Sequence, residues 1–105
     1  MSTMQGTQVE QHVQFGVLLA GNTPEVNEVQ IHQDKLGEYR RVQLRVITER
    51  GVYEMVGMPN VMMWYAPGGT WNIGKRDELG QNRGWYQAVS KAISPEGISN
   101  WQVWD

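Results

Sequence analysis

The sequence predicts an all-β protein, a small single-domain antiparallel meander folded as a strongly twisted sheet or a small barrel. Short runs of apolar residues alternate with polar ones at the period of two that strands produce. Turn residues interrupt these runs about every eight to twelve positions, which is typical of all-β domains. The chain has 105 residues, and a single strongly twisted antiparallel sheet fits its short strands better than a two-sheet immunoglobulin-type sandwich.

The first half is predicted to contain an arm followed by strands. Residues 1–8 are small and polar and are expected to form a flexible arm, so that residues 9–105 form the single β domain. One strand is predicted over residues 9–19 and a short one over residues 29–32. The clearest strand signal covers residues 39–48, where β-branched and apolar residues alternate with polar ones.

The centre of the chain predicts a strand and then an aromatic hairpin. Residues 52–56 are strand-like. Residues 61–74 are two apolar, aromatic runs joined by a Pro-Gly-Gly turn. Pro67 and Gly68 suit the two central positions of a type II turn, because Gly tolerates the positive φ that the second position requires. The sequence therefore predicts a β-hairpin at 61–74.

The last third is less uniform. Residues 75–84 are polar and are expected to form a loop with at most one helical turn. Residues 85–93 fit either a helix or a strand, and the preceding Gly84 and the Trp-Tyr pair favour a strand. Residues 101–104 are expected to form a closing strand with both Trp side chains on one face.

Aromatic residues concentrate in the second half, where eight of the ten lie from Tyr53 onward. Most are expected to form the core. Trp64 and Tyr65 are neighbours on a predicted strand and must point to opposite faces, as must Trp85 and Tyr86 if their segment is a strand. A single sheet cannot bury both faces without a second layer. One member of each pair is therefore expected to be exposed, or to be covered by the N-terminal half or by a partner.

These aromatic pairs predict a binding surface on hairpin 61–74 and the adjacent loop 75–84. We expect a non-catalytic interaction module that contacts another protein or is part of a larger assembly, with basic residues supplying charge at the rim. The alternative is a carbohydrate-binding module in which Trp and Tyr stack on sugar rings. The residues expected in the binding surface are Trp64, Tyr65, Trp71, Tyr86, Lys75, Arg76 and Arg83.

The patterns that carry catalysis or bind metals are missing from the sequence. There is no P-loop, no nucleophile elbow and no calcium-loop spacing. The chain has no Cys, and its two histidines, His12 and His32, have no nearby ligand partners. We therefore expect no catalytic residues, no cofactor and no metal. A small enzyme, the third alternative, would require a pocket with convergent polar groups.

Charge and hydropathy restrict the remaining classes of partner. The net charge is -2, which gives no electrostatic footprint for nucleic acid. No apolar run reaches the length of about 18 residues that a membrane-spanning helix needs. The lack of Cys and of a signal-peptide pattern favours an intracellular location.

Residues 51–104 resemble a short aromatic- and Gly-rich β-module found, often in tandem, in large proteins of algae and other protists. The module often lies beside kinase, ankyrin or other signalling domains. The resemblance implies a non-catalytic, interaction-mediating role, and it transfers no ligand and no catalytic residue. It rests on the order of six short motifs: GVYE at 51–54, MWY at 63–65, GTWNIG at 69–74, GWYQA at 84–88, SP at 94–95 and WQV at 101–103.

Overall fold

The computed structural model describes residues 2–3, 5–13 and 16–104, with side chains described from Gly16 onward. Within these ranges the protein is all-β, as predicted. Short 3-10 helices cover Gln33–Lys35 and Arg76–Glu78. The strands are β1 (Ser2–Thr3), β2 (Gln5–Val13), β3 (Gly16–Asn22), β4 (Glu25–Val26), β5 (Val29–Gln30), β6 (Gly37–Ile47), β7 (Arg50–Met55), β8 (Met58–Ala66), β9 (Thr70–Lys75), β10 (Tyr86–Val89) and β11 (Gln102–Val103).

Nine of these strands form one antiparallel sheet in the order β1-β11-β10-β9-β8-β7-β6-β3-β2, and β4 and β5 form a separate hairpin. From β6 to β11 each strand pairs with the next in the chain, which confirms the predicted meander. The sheet curls into a half-barrel. Its edge strands β1 and β2 are separated by one residue, so the Cα atoms of Thr3 and Gln5 lie within about 7.6 Å of each other. The curl therefore brings the two edges together at this point.

The single strand predicted over residues 9–19 is wrong. This segment forms the hairpin of β2 and β3, in which Val13 pairs with Gly16. Period-two alternation continues through a tight hairpin, so the sequence pattern does not reveal the reversal. Residues 14 and 15, which belong to the predicted strand, lie outside the described residues.

Much of the predicted N-terminal arm lies in strands. Ser2 and Thr3 pair with β11, and Gln5 and Gln8 pair with β3. Met1 and Met4 lie outside the described residues.

The aromatic hairpin forms as predicted from β8 and β9. The Gly69 N–H donates to the Ala66 carbonyl oxygen at 3.3 Å, and Gly68 has a φ of 102°, as a type II turn requires. Tyr65 lies opposite Trp71 across the two strands, and Trp64 lies opposite Asn72.

Two predictions about the last third have different outcomes. Residues 86–89 form strand β10, so the strand interpretation of 85–93 is confirmed over this shorter length. The placement of both terminal Trp residues on one face is wrong, because Trp101 is fully buried whereas Trp104 is 46% exposed. Residues three positions apart on a strand point to opposite faces.

The main core fills one face of the sheet. Tyr65 and Trp71 pack there with ring centroids 5.7 Å apart, and Tyr86 packs edge-to-face on Trp101. The buried members of this core are Val17, Leu19, Tyr39, Tyr53, Met55, Val61, Met63, Tyr65, Trp71, Ile73, Tyr86, Ala88, Ile98, Trp101 and Val103.

A second, smaller core lies on the opposite face. Its buried residues are Val52, Met62, Trp64 and Ala66. Leu79 of the 75–84 loop packs against it, together with Val42 and Ile47 of β6. Every residue of β8 from 61 to 66 is consequently buried, whichever face its side chain takes.

Two buried tyrosines hold the turn before β6 against the sheet. The Tyr39 hydroxyl donates to the Lys35 carbonyl oxygen and the Tyr86 hydroxyl donates to the His32 carbonyl oxygen, each at 2.6 Å. Burial raises the pKa of both hydroxyls above the usual tyrosine value. Both groups therefore remain protonated donors at neutral pH.

Candidate functional site

The four aromatic residues predicted to offer a binding surface are buried. Trp64, Trp71 and Tyr86 have no exposed surface, and Tyr65 is 6% exposed. The Arg50 guanidinium carbon lies 3.8 Å from the centre of the Tyr65 ring and covers it. The exposed aromatic surface predicted for the hairpin is therefore wrong. The expected alternative, cover by the N-terminal half or by a partner, is only partly right, because Leu79 of the 75–84 loop covers Trp64 together with Val42 and Ile47 of β6.

Of the three basic residues predicted for the binding surface, one holds the 75–84 loop in place and two line a groove. The Arg76 guanidinium donates to the Pro59 carbonyl oxygen at 2.7 and 3.0 Å and pairs with Glu54. Arg76 thus ties the 75–84 loop to the β7–β8 hairpin. Lys75 and Arg83 instead line a groove at the other side of this loop.

The groove, of about 380 Å³, lies between the 75–84 loop and the end of the chain. Loop residues form one wall, and two Trp residues that sequence reasoning left out of the site form another. The residues that line it are Lys75, Glu78, Asn82, Arg83, Gly84, Trp85, Gln87 and Trp104. We refer to it below as the Trp104 groove.

Close contact between the 75–84 loop and strand β9 sets the position of the loop wall of the Trp104 groove. The Trp85 N–H donates to the Ile73 carbonyl oxygen at 2.8 Å. A Cβ on Gly84 would lie 2.5 Å from that same oxygen, so only Gly allows the approach. Farther along the loop, the Trp64 indole N–H donates to the Gln81 carbonyl oxygen at 2.9 Å. These contacts hold the part of the loop that follows the short 3-10 helix Arg76–Glu78.

A polar network forms the floor of the Trp104 groove. The Gln87 amide nitrogen donates to Asn72 Oδ1 at 2.8 Å and to Asn82 Oδ1 at 3.1 Å. Thr70 Oγ1 also donates to Asn82 Oδ1. Asn72 is fully buried, and buried amides of this kind hold their neighbours in one arrangement when they are hydrogen-bonded.

This network also orients the exposed indole of Trp104. Its Nε1–H donates to Gln87 Oε1 at 2.7 Å. Its backbone N–H donates to the Trp85 carbonyl oxygen at 2.8 Å, and its own carbonyl oxygen lies 2.7 Å from His32 Nε2. Trp104 is therefore a fixed aromatic side chain with almost half of its surface open to solvent.

Trp85 is the more exposed member of the Trp85–Tyr86 pair, since Tyr86 is fully buried and Trp85 is half-buried. The Lys35 ammonium lies 4.4 Å from the centre of its ring, and the His32 ring centroid lies 6.2 Å away. Trp85 is therefore partly buried and not exposed as predicted, and the residues at its ring, Lys35 and His32, belong to the N-terminal half of the chain, which was the other outcome expected for this pair. Because Trp104 was expected on the same face as Trp101, it was not among the residues predicted for the binding surface.

Charge in the Trp104 groove is positive at its outer rim. Glu78 Oε1 accepts the Lys75 N–H at 3.0 Å, and Glu78 Oε2 pairs with Arg83 Nε at 2.9 Å. The Glu78 side chain is 18% exposed, against 66% for Arg83. The carboxylate is engaged by the loop, whereas the Lys75 and Arg83 side chains extend into solvent.

A second groove, of about 390 Å³, lies beside the β6–β7 pair and is lined by Arg40, Arg41, Val42, Glu54, Met55, Val56 and Gly57.

No cluster of three or more His, Cys, Asp or Glu side chains suited to a metal ion occurs among the described residues. No helix in that part of the chain is long and apolar enough to cross a membrane.

No protein-family model matches this chain, and no curated protein or solved structure is significantly similar to it. The resemblance of residues 51–104 to β-modules of algal and other protist proteins therefore stays a prediction. The function is consequently inferred from the geometry of the site.

Proposed function

We propose that this protein is a non-catalytic binding module that holds a saccharide in the Trp104 groove. The observation that carries the proposal is the fixed, half-exposed Trp104 indole above a polar floor. The C–H face of a pyranose ring gains dispersion contacts on such an indole. A ring already held by the bond to Gln87 loses little conformational freedom when a ligand binds.

The polar lining supports a sugar more than an apolar ligand. Lys75, Asn82 and Arg83 bring donors to the wall, and Gln87 lies on the floor. Saccharide hydroxyls need several such partners around one stacking surface. The groove is also open to solvent, whereas the energetically dominant residues of protein–protein interfaces lie in well-packed, desolvated pockets.

Replacement of Trp104 tests this proposal. Trp104→Ala is expected to weaken saccharide binding at least about tenfold, about 1.4 kcal/mol, because the stacking surface is lost. Trp104→Phe keeps an aromatic face and is expected to retain most of the affinity. Ligands would be identified on a glycan array, and affinities measured by isothermal titration calorimetry.

Val89→Ala is the matched control, because Val89 is an exposed apolar residue, 76% accessible, that does not line the groove. Its affinity should equal that of the unmodified protein. Absence of any saccharide ligand on the array, or equal affinities for Trp104→Ala and Val89→Ala, would contradict the proposal.

A second candidate function is contact with another protein through a bulge in β6. Arg41 pairs with Tyr53 and Val46 pairs with Gly51, so four residues, 42–45, lie opposite the single residue Val52 and the strand bulges there. Leu44 is 93% exposed and Val46 is 54% exposed. Arg40, Arg41 and Arg45 are exposed beside them. This combination suits a protein surface that has an apolar pocket and an acidic rim.

Leu44→Ser separates the second candidate from the first. Because Leu44 is almost fully exposed, the substitution should change the free energy of unfolding by less than about 0.5 kcal/mol. Loss of a partner captured by the unmodified protein, with saccharide binding unchanged, would support the protein contact. Capture of the same partners by Leu44→Ser would exclude the bulge as the contact surface.

A further inference from the structure

We infer that the saccharide bound in the Trp104 groove is anionic, with a carboxylate or a sulfate on or next to the sugar that stacks on Trp104. This inference rests on the proposed function, since it names the class of ligand for the same groove. The feature that carries it is the arrangement of Lys75, Glu78 and Arg83 along the loop wall.

Lys75 and Arg83 lie at the two ends of the loop wall, and Glu78 contacts both residues. One Glu78 oxygen accepts the backbone N–H of Lys75 and the other pairs with Arg83 Nε. A single carboxylate thus connects two cationic residues that are eight positions apart in the chain. The three groups together carry a formal charge of +1.

Arg83 contacts Glu78 through Nε at 2.9 Å. Its planar guanidinium carries five N–H donors, and a fork of two parallel N–H groups matches a carboxylate or sulfate. The Arg83 side chain is 66% exposed. The ion pair fixes the direction of the side chain, and an anion in the groove would add to it and not replace it.

The charged residues that line the groove are Lys75, Glu78 and Arg83, and Asp77, exposed on the same loop, does not line it. Lys35 lies over the Trp85 ring and pairs with Asp34 at 2.9 Å, so that pair is neutral. Arg76 and Glu54 pair with each other on the far side of the loop. The overall charge of the protein is -2, so the positive charge of the groove is a local feature. It steers anionic ligands toward the groove and favours their binding over that of neutral ligands.

Pairs of ligands that differ only in charge test the inference. One pair is oligogalacturonate and its methyl ester, and the other is a sulfated galactan oligosaccharide and its unsulfated form. In at least one pair the anionic member should bind about tenfold or more tightly than the neutral one, and its affinity should fall as ionic strength rises. The pair that shows the difference identifies carboxylate or sulfate as the anion.

Arg83→Gln should remove most of this preference, because it should lower the affinity for the anionic member about tenfold more than the affinity for the neutral member. Arg45→Gln makes the same charge change at an exposed position of β6 outside the groove and should have no effect. Circular dichroism would check that both variants are folded.

The outcomes separate the inference from the proposed function. Equal binding of charged and neutral members, lost in Trp104→Ala and unaffected by Arg83→Gln, would overturn the inference and support saccharide binding. Equal losses in Arg83→Gln and Arg45→Gln would assign the preference to overall charge and would also overturn it. Absence of binding to all four ligands would overturn the inference, and the glycan array would then test the proposed function separately.

Discussion

Trp64→Ala is expected to lower the free energy of unfolding by about 3–5 kcal/mol, the usual range for removing a large aromatic side chain from a core. Trp64 is fully buried and is the largest side chain of the second core. Its indole N–H also donates to the Gln81 carbonyl oxygen, so the substitution leaves that oxygen without this donor. Urea denaturation followed by circular dichroism gives the value by linear extrapolation.

Trp104→Ala is the matched control for this effect, because it removes the same side chain from a position that is 46% exposed. Its loss of stability should be well below that of Trp64→Ala. If the two variants unfolded at the same urea concentration, the 75–84 loop would not cover Trp64, and the second face of the sheet would be open in solution. That result would make the hairpin a candidate binding surface again.

Gly84→Ala is expected to lower the free energy of unfolding by about 3 kcal/mol, at the upper end of the usual cost of overpacking. The new Cβ would lie 2.5 Å from the Ile73 carbonyl oxygen and 2.9 Å from its carbon. Both are backbone atoms of β9, so the loop must move to relieve the contact. Thermal and urea unfolding would measure the loss.

Gly57→Ala separates this contact from the backbone cost of replacing a glycine. Gly57 has a φ of 84°, and no neighbouring atom lies within 4 Å of the point that an alanine Cβ would occupy. Ala at this position therefore meets open space but an unfavourable φ, and the expected cost is about 1 kcal/mol. A Gly84→Ala variant as stable as Gly57→Ala would mean that the loop does not lie against Ile73 as described.

Gly84→Ala also connects stability with the proposed function. Movement of the loop away from Ile73 would displace Arg83 and Trp85, the residues on either side of Gly84 that line the Trp104 groove. The cost of the substitution thus shows how far the geometry of the binding site depends on one close backbone contact.

Much of the fold could be predicted from local pattern. The alternation in residues 39–48, the turn at Pro67 and Gly68, and the breaks at Gly residues correspond to β6 and to the β8–β9 hairpin. Backbone preferences and side-chain periodicity act within a few residues, so they can be read from the sequence directly. The β2–β3 hairpin was missed because its alternation continues across the reversal.

The candidate site was predicted only in part. Lys75 and Arg83 line the groove, because a polar loop beside an aromatic hairpin carries exposed charge. Trp64 and Trp71 do not, because both are buried. The sequence gives each strand two faces but does not say which of them the rest of the chain will cover.

By itself, the sequence determined that Trp64 and Tyr65 take opposite faces of a strand, because successive side chains alternate. Only the tertiary structure decided that both faces are covered. The cover over Trp64 is the 75–84 loop, which has no periodic pattern and is held by single contacts to Gln81 and through Gly84. Those contacts join residues distant in the chain, and they leave Trp104 as the exposed indole.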